Sequence, residues 1–217
     1  WSGFEDDSRK VKYAVNDQTH NSICSGYITS NAPLLQMHCQ LADGTFFDVN
    51  TQLIGSYNAE NIVAAATIGH YFGLSWTEIK KGLESYRPQN NRSQLTITER
   101  NKLVVDAYNA NPTSMHAAIL NFADMHVPSK LVVLGDMLEL GEQAAMEHQK
   151  IIDLLVEKEL KEVFLVGEYF CQTHHPFASY TNIAELITAL TDKKIENRYI
   201  LIKGSRGIGL EKLIDHL

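Results

Sequence analysis

Residues 103–112 read Leu103-Val104-Val105-Asp106-Ala107-Tyr108-Asn109-Ala110-Asn111-Pro112. The apolar, β-branched start predicts a buried strand, and Pro112 stands at the first turn of a helix that would follow it. In an open α/β sheet, ligands bind beyond the carboxyl ends of the strands, so the polar side chains after Val105 would face a binding crevice. The simpler alternative is a turn in which Asp and Asn only hydrogen-bond the local backbone.

The sequence around this stretch alternates between short apolar strands and amphipathic helices. The strands are predicted at 95–98, 103–107, 131–134, 163–166 and 199–202, and the helices at 113–125, 142–159, 183–190 and 207–217. Such alternation predicts an α/β, Rossmann-like domain with a mostly parallel sheet covered on both faces. Polar clusters follow three of the strands, at 106–111, 135–139 and 203–207. Because the carboxyl ends of parallel strands share one edge, we expect these clusters to converge on one site.

The first ninety residues combine an alternating β pattern with two helices. Strict alternation of apolar and polar residues is the period of a half-buried strand, and Asp-Gly is a two-residue hairpin turn. The predicted elements are short strands over 10–15 and 27–30, a hairpin of 35–41 and 45–49 joined at Asp43-Gly44, a helix over 57–72, and a helix with Ser75 and Glu78 as its capping box. The polar segment 87–93 contains a proline and lacks periodicity, so we place the domain boundary there, between residues 91 and 92.

Composition and charge narrow the class of protein. The chain has 217 residues, 44% of them hydrophobic, and a formal net charge of -7. The acidic balance argues against a nucleic-acid partner or an anionic-membrane surface. Three widely spaced cysteines without a C-x-x-C pair predict neither a disulfide framework nor a zinc site. No apolar run reaches the roughly 18 residues that span a membrane, and the first residues lack the pattern of a signal peptide. We therefore expect a cytoplasmic protein without membrane insertion.

Two candidate sites stay open on the residues alone. Lys203 and Arg206, beside Ser205 and a predicted helix N-terminus, form a plausible clamp for a carboxylate or phosphate, although they could also be a solvated positive strand end. Asn58 and Asn61 lie three residues apart at the start of a helix, which places both amides on one face. An N-cap plus one exposed Asn is an equally good interpretation of that pair.

The motifs taken together resemble those of a known family. In chain order they are Gly55-Ser56-Tyr57-Asn58-Ala59-Glu60-Asn61-Ile62-Val63-Ala64-Ala65-Ala66, then Asn91-Arg92-Ser93, then Asp106-Ala107-Tyr108-Asn109-Ala110-Asn111-Pro112-Thr113-Ser114-Met115, then Leu134-Gly135-Asp136-Met137-Leu138-Glu139-Leu140-Gly141 with His148, and finally Lys203-Gly204-Ser205-Arg206. This pattern resembles the Mur ligases of peptidoglycan synthesis, most closely the MurF type, the UDP-N-acetylmuramoyl-tripeptide:D-alanyl-D-alanine ligases. The role of His148 stays open between a structural and a catalytic one.

The resemblance implies a domain plan. Family members have an N-terminal domain that holds the UDP-sugar, a central ATPase domain with a P-loop, and a C-terminal Rossmann-like domain that receives the incoming amino acid or dipeptide. This sequence contains no G-x-x-x-x-G-K-[ST] motif. Residues 1–91 therefore resemble the C-terminal part of the central domain, and residues 92–217 resemble the C-terminal domain.

The resemblance also implies a reaction and its partners. ATP, with Mg²⁺, would phosphorylate the carboxylate of UDP-N-acetylmuramoyl-tripeptide, and the amine of D-alanyl-D-alanine would attack the acyl phosphate to form an amide. The chain by itself is expected to be inactive, because the phosphate and metal sites are mostly missing and no catalytic residue or metal ligand is expected in it. A folylpolyglutamate synthetase-like amide ligase, or a non-catalytic module that binds a nucleotide or peptide, is the alternative.

Individual site residues follow from the same resemblance. Asn61 would hydrogen-bond adenine, and Arg92 and Asp106 would hold the ribose. The family often carries a second acid just before the position of Asp106, where this sequence has Val105, so the acidic contribution rests on Asp106. The residues expected to face the dipeptide are Tyr108, Asn109, Asn111, Lys203, Ser205 and Arg206, with Arg206 as the partner of its terminal carboxylate.

Overall fold

The structure, a computed structural model, describes residues 11–16, 22–31, 33–88, 94–191 and 193–217. The chain divides into two compact units, Trp1–Tyr86 and Arg87–Leu217. Each unit has its own sheet and its own buried core. The assignment of residues 1–91 and 92–217 to two Mur ligase domains stays a prediction. Within the described ranges, no helix combines the length and the apolar character needed to cross a membrane.

The first unit is a four-stranded sheet with two helices. Its elements are β1 (Tyr13–Val15), β2 (Cys24–Asn31), β3 (Leu35–Leu41), β4 (Phe46–Asn50), α1 (Asn58–Tyr71) and α2 (Trp76–Ser85). The strands lie in the order β1-β2-β3-β4, with β2, β3 and β4 antiparallel and β1 parallel to β2. The predicted antiparallel element and its two helices are confirmed.

The β3–β4 hairpin shows how the alternating sequence builds this unit. Alternate residues from Leu35 to Leu41 are buried, and they form one apolar cluster with residues of α1 and α2. In the turn, Gly44 has a φ of 85°, and the backbone N–H of Thr45 donates to Asp43 Oδ1 at 2.8 Å. The turn is a three-residue loop, because the N–H of Gly44 donates to the Leu41 carbonyl oxygen at 3.0 Å and the N–H of Leu41 donates to that of Thr45 at 2.7 Å. The predicted two-residue Asp-Gly turn is therefore wrong in length, although the hairpin and the left-handed Gly44 are found, and the loop directs one face of the hairpin to the helices.

The second unit is a six-stranded α/β domain. Its elements are β5 (Gln94–Ile97), β6 (Lys102–Asp106), α3 (Pro112–Asp124), β7 (Lys130–Gly135), α4 (Ala144–Glu157), β8 (Val163–Val166), α5 (Glu168–Cys171), β9 (Ala178–Tyr180), α6 (Ile183–Leu190) and β10 (Tyr199–Lys203). The strand order is β5-β6-β10-β7-β8-β9, and each neighbouring pair is parallel except β5 with β6. The predicted mostly parallel, Rossmann-like sheet is confirmed.

Both faces of this sheet are covered. Successive strand residues point to opposite sides, so neighbouring residues of one strand are buried under different elements. Leu103 and Val105 join a cluster with Leu186 of α6 and with Leu210 of the C-terminal segment, while Val104 between them is buried on the other side. None of the described residues of α3 and α4 belongs to that cluster, and these two helices contact each other. The segments that follow the neighbouring strands β6 and β10 therefore lie on opposite faces, which opens a crevice at their ends.

Four elements differ from the sequence prediction. The α-helix predicted over 207–217 is wrong: the segment forms two 3-10 segments, Arg206–Ile208 and Leu210–His216. Gly209 between them has a φ of 74°, a left-handed conformation that interrupts a helix. The helix predicted from residue 142 begins as a 3-10 turn, Gly141–Gln143, before α4. The short α5 and β9 were not predicted, because three or four residues carry too little periodicity to reveal an element.

Candidate functional site

Three strand ends meet at one edge of the second sheet, as the sequence predicted. β10 lies between β6 and β7, and Lys203 at its end is in register with Asp106 and with Leu134. Just beyond the strands, the backbone N–H of Ser205 donates to the carbonyl oxygen of Asp136 at 3.1 Å. The polar segments that follow β6, β7 and β10 are thus brought together.

Lys203 and Asp106 form an ion pair at this edge. Lys203 Nζ lies 2.7 Å from Asp106 Oδ2 and donates a second hydrogen bond, of 3.1 Å, to the carbonyl oxygen of Asn109. The Lys203 side chain is 1% exposed, whereas that of Asp106 is 19% exposed. The ammonium is therefore enclosed, and the carboxylate is the member of the pair that a ligand can reach.

Tyr108 and Arg206 are exposed side chains at the same edge. The guanidinium carbon of Arg206 lies 5.8 Å from the centre of the Tyr108 ring, which is within the range of a cation–π contact. The ring limits the positions of the guanidinium without using its N–H groups. Those groups form a fork that can donate two parallel hydrogen bonds to a carboxylate.

Asn109 and Asn111 both use their side-chain oxygens locally. Asn109 Oδ1 accepts from the backbone N–H of Ala110 at 2.9 Å. Asn111 is the N-cap of α3: its Oδ1 accepts from the N–H of Ser114 at 2.8 Å, and Ser114 Oγ accepts from the N–H of Asn111 at 3.2 Å. The alternative of local backbone hydrogen bonding therefore holds for these two oxygens, and a ligand would meet the amide N–H₂ groups instead.

Ser205 fastens the end of β10 to the end of β7. Its Oγ accepts a hydrogen bond from the backbone N–H of Leu138 at 2.9 Å, in addition to the bond that its own N–H makes. Ser205 is 6% exposed. It positions the loop that carries Arg206, and its direct contact with a dipeptide stays a prediction.

His148, whose role the sequence left open between a structural and a catalytic one, hydrogen-bonds two backbone groups. The side chain is fully buried. Its Nε2 accepts from the backbone N–H of Met137 at 3.0 Å, and its Nδ1 donates to the carbonyl oxygen of Ala144 at 2.6 Å. This pattern requires a neutral imidazole with its proton on Nδ1. His148 thus anchors α4 to the loop after β7, next to the residue that Ser205 holds.

Asp136, in the same loop, caps the short helix α5. Its carboxylate accepts the backbone N–H groups of Tyr169 and Phe170 at 2.9 and 3.0 Å. Gly167, the residue before the helix, has a φ of 129°, and a Cβ there would overlap the Asp136 carboxylate. Sequence reasoning placed Asp136 in a polar cluster but missed this partner. The glycine directly after β8 was the signal that could have indicated it.

Burial sets the protonation of this pair, whose His148 Nε2 and Asp136 Oδ1 lie 3.5 Å apart. Burial lowers the pKa of His148 below its usual value, and the hydrogen bond to Ala144 offsets part of that change. Burial raises the pKa of Asp136, and the N–H groups of Tyr169 and Phe170 oppose the rise. The imidazole therefore stays neutral to a lower pH than a solvated histidine does.

The buried imidazole makes the free energy of unfolding depend on pH. Since the pKa of His148 is lowered by folding, the unfolded chain takes up the proton first once the pH falls below about 6.5. The contribution of His148 to the free energy of unfolding is fully present above that pH. As the pH falls toward the pKa of His148 in the folded protein, this contribution is lost, by up to about 1.4 kcal/mol per pH unit. Urea unfolding between roughly pH 8 and pH 5 measures this loss.

A comparison of two variants isolates His148 from Asp136, whose pKa is raised by burial and which therefore acts on the stability with the opposite sign. We expect His148→Gln, which keeps a side-chain acceptor but does not titrate, to lose most of the slope. The control His126→Gln, at an exposed histidine, should keep it. A wild-type slope in His148→Gln would show that another group causes the dependence.

Asn61 lies in the first unit, at an exposed position of α1. Its Nδ2 donates to Asn58 Oδ1 at 3.0 Å, and Asn58 Nδ2 donates to the carbonyl oxygen of Ile54 at 2.7 Å. Asn58 is not the N-cap, which is Tyr57 without a side-chain cap bond. The two linked amides fix how the Asn61 carboxamide is turned and leave its oxygen for a ligand. Arg92 falls outside the described residues, so its predicted ribose contact stays a prediction.

The described residues contain no cluster of metal ligands, although the resemblance implies Mg²⁺. In those parts of the chain, no three His, Cys, Asp or Glu side chains lie together as ligands would. Mg²⁺ prefers oxygen ligands from carboxylates and phosphates, and Asp106 at the sheet edge is already paired with Lys203.

Known proteins match the chain in sequence. The family described as Mur ligase, glutamate ligase domain, matches residues 91–206. The UDP-N-acetylmuramoyl-tripeptide--D-alanyl-D-alanine ligase of Treponema pallidum is 33% identical over 174 residues, which cover 76% of this chain and 38% of that protein. The ligase of the same name from Bacillus subtilis is 31% identical over 209 residues, 87% of this chain and 45% of that protein. The chain spans less than half the length of these relatives.

Solved structures share the fold. MurF from Acinetobacter baumannii matches with a TM-score of 0.73 at 24% identity, over 94% of this chain and 51% of that one. The MurF ligase from Thermotoga maritima in complex with ADP matches with a TM-score of 0.74 at 18% identity, over 89% of this chain and 45% of that one. At these identities the structures show the fold alone, whereas the family match covers more than half of the chain. The chain belongs to the Mur ligase family.

Proposed function

We propose that this chain belongs to an ATP-dependent carbon–nitrogen ligase that joins D-alanyl-D-alanine to UDP-N-acetylmuramoyl-tripeptide, a cytoplasmic step in peptidoglycan synthesis. The observation that carries the proposal is that Asp106 and Arg206 both lie at the carboxyl ends of the neighbouring strands β6 and β10, at one sheet edge. The loop that follows Asp106 carries Tyr108, and the ring of Tyr108 contacts the Arg206 guanidinium. The names of the Treponema and Bacillus relatives support the same reaction.

Asp106 fits the ribose of ATP. A carboxylate with one oxygen held by Lys203 still has lone pairs for two vicinal hydroxyls, and its 19% exposure leaves it within reach of a ligand. The ADP complex of the Thermotoga relative supports an adenine nucleotide. For Asn61 we propose the adenine contact, and for Arg92 a second ribose contact.

Arg206 fits the terminal carboxylate of the dipeptide. Its fork would bind the two carboxylate oxygens, while Tyr108 restricts the position of the guanidinium. The amide groups of Asn109 and Asn111, and the hydroxyl of Ser205, would then line the same dipeptide. These residues bind and orient the nucleophilic amine, and orientation of that kind accounts for a large part of catalysis in group transfer.

An assay of amide formation with the full-length gene product tests this function. With ATP, Mg²⁺, UDP-N-acetylmuramoyl-tripeptide and D-alanyl-D-alanine, we expect amide and phosphate in equal amounts, and no amide when the dipeptide is left out. Addition of glutamate to a folate would instead support the folylpolyglutamate synthetase-like alternative. Nucleotide or dipeptide binding without turnover would support a binding module.

Asp106→Asn should raise the KM for ATP at least about tenfold, because a hydrogen bond to a charged group contributes about 1.5–3 kcal/mol. The KM for D-alanyl-D-alanine should change much less. Asp124→Asn, at an exposed position at the other end of α3, is the matched control and should leave both values unchanged. A wild-type KM for ATP in Asp106→Asn would remove Asp106 from the nucleotide site.

The 217 residues by themselves are expected neither to hydrolyse ATP nor to form the amide. The sequence lacks the P-loop whose backbone N–H groups and lysine hold the phosphates. Phosphate release by this chain with all substrates present is therefore expected to equal the blank without protein. Release above the blank would place a phosphate site within these residues.

A further inference from the structure

The Lys203 ammonium is the most enclosed charge at the sheet edge. Its side chain is 1% exposed, and a buried ammonium is costly unless its protons are paired. Here Nζ donates to Asp106 Oδ2 at 2.7 Å and to the Asn109 carbonyl oxygen at 3.1 Å. An ammonium enclosed in this way does not meet a ligand that arrives from solvent, so Lys203 acts through the two groups that it holds.

Those two groups belong to the two proposed binding functions. Asp106 is the proposed acceptor of the ribose hydroxyls, and Asn109 lies in the loop proposed to face the dipeptide. The same loop ends at Asn111, which caps α3 through two hydrogen bonds with Ser114. One end of the loop is thus fixed by the helix, and Lys203 fixes the other end together with the carboxylate.

We propose that Lys203 is a positioning residue for nucleotide recognition and not a contact of the dipeptide. By holding Oδ2, it fixes the rotamer of Asp106 and leaves Oδ1 and the remaining lone pairs to the ribose hydroxyls. By donating to the Asn109 carbonyl oxygen, Lys203 also fixes the position of the loop after Asp106 relative to that carboxylate. This inference rests on the proposed function, because it takes Asp106 as the ribose acceptor.

The test compares KM values for ATP and 2′-deoxy-ATP in the full-length gene product. The wild-type protein should prefer ATP about tenfold, the effect of one hydrogen bond to a carboxylate. In Lys203→Met, which keeps the apolar stem but removes the donors, the preference should fall to less than about twofold. Lys203→Arg keeps donors and charge and should recover part of it. Lys102→Met, an exposed lysine at the start of β6, is the control and should keep the wild-type preference.

A double-mutant cycle separates positioning from general stabilisation. In the Asp106→Asn background, Lys203→Met should change the KM for ATP by less than about twofold, because its effect passes through the missing carboxylate. Independent effects that multiply would overturn the inference, as would an undiminished ATP preference in folded Lys203→Met. If Lys203→Met does not fold, Lys203→Leu, which also lacks donors, replaces it in the same cycle with the same expected results. Equal KM values for the two nucleotides in the wild-type protein would reject the ribose role of Asp106 as well.

Discussion

Gly167→Ala is expected to lower the free energy of unfolding of the second unit by about 3–5 kcal/mol. The φ of 129° and ψ of 160° at this residue lie in a region that is essentially restricted to glycine and costs other residues about 1–3 kcal/mol. The added Cβ would also overlap the buried Asp136 carboxylate. Moving that carboxylate weakens its hydrogen bonds to the start of α5, each worth about 1.5–3 kcal/mol.

Urea unfolding of matched variants measures this loss. Gly141→Ala is the control, since Gly141 also has a positive φ, of 55°, but a Cβ there would meet open space. Gly141→Ala should lower the free energy of unfolding only by the strain of a left-handed alanine, about 1–2 kcal/mol. Asp136→Ala should cost less in the Gly167→Ala background than in the wild-type protein, because the overlap is then already present. Equal losses for Gly167→Ala and Gly141→Ala would show that the carboxylate is not what requires a glycine.

The sequence was sufficient to predict those features of the fold that depend on a few neighbouring residues or on the direction of the strands. Asn111 and Pro112 give the N-cap and first turn of α3 within a few residues, and parallel strands bring their carboxyl ends to one edge whatever their order. Both the helix start and the meeting of the three strand ends were therefore predictable. The β3–β4 hairpin was predictable too, although its turn also includes Ala42, since the N–H of Leu41 donates to the Thr45 carbonyl oxygen.

The ion pair between Lys203 and Asp106 was not predictable from the sequence. The two residues are 97 positions apart, and their pairing depends on the insertion of β10 between β6 and β7. Nothing in the residues of β10 fixes that position, because all the central strands are similarly apolar. The burial of the Lys203 ammonium follows from the strand order, so a lysine that looked like a ligand contact lies enclosed.

The loop after β7 shows a second limit. Asp136 belongs to a polar cluster that was expected to converge on the binding edge, yet its carboxylate caps α5 and His148 holds the next backbone N–H. A motif identifies residues that a function needs, but it does not separate those that touch a ligand from those that hold the loop. The separation required burial and hydrogen-bond partners, which depend on α5, an element too short to predict.

Arg206 is expected to discriminate between D-alanyl-D-alanine and its C-terminal amide in the full-length gene product. Two parallel hydrogen bonds from a guanidinium to a carboxylate contribute about 3 kcal/mol together, so Arg206→Ala should raise the KM for the dipeptide about 100-fold. Arg206→Lys keeps the charge but loses the fork, and a rise of about tenfold is expected. The KM for ATP should stay within about twofold in both variants, because Asp106 and its partner Lys203 are unchanged.

Arg198→Ala is the matched control for this prediction. Arg198 directly precedes β10, at the end of the strand opposite to Arg206, where it pairs with Glu162 at 2.9 Å. Its loss should leave the KM for the dipeptide unchanged. The wild-type protein should use the amide at least about tenfold less well than the acid, and Arg206→Ala should use the two alike. Equal use of acid and amide by the wild-type protein would show that the terminal carboxylate is not bound by a charged partner, and Arg206 would then have to be assigned to another part of the substrate.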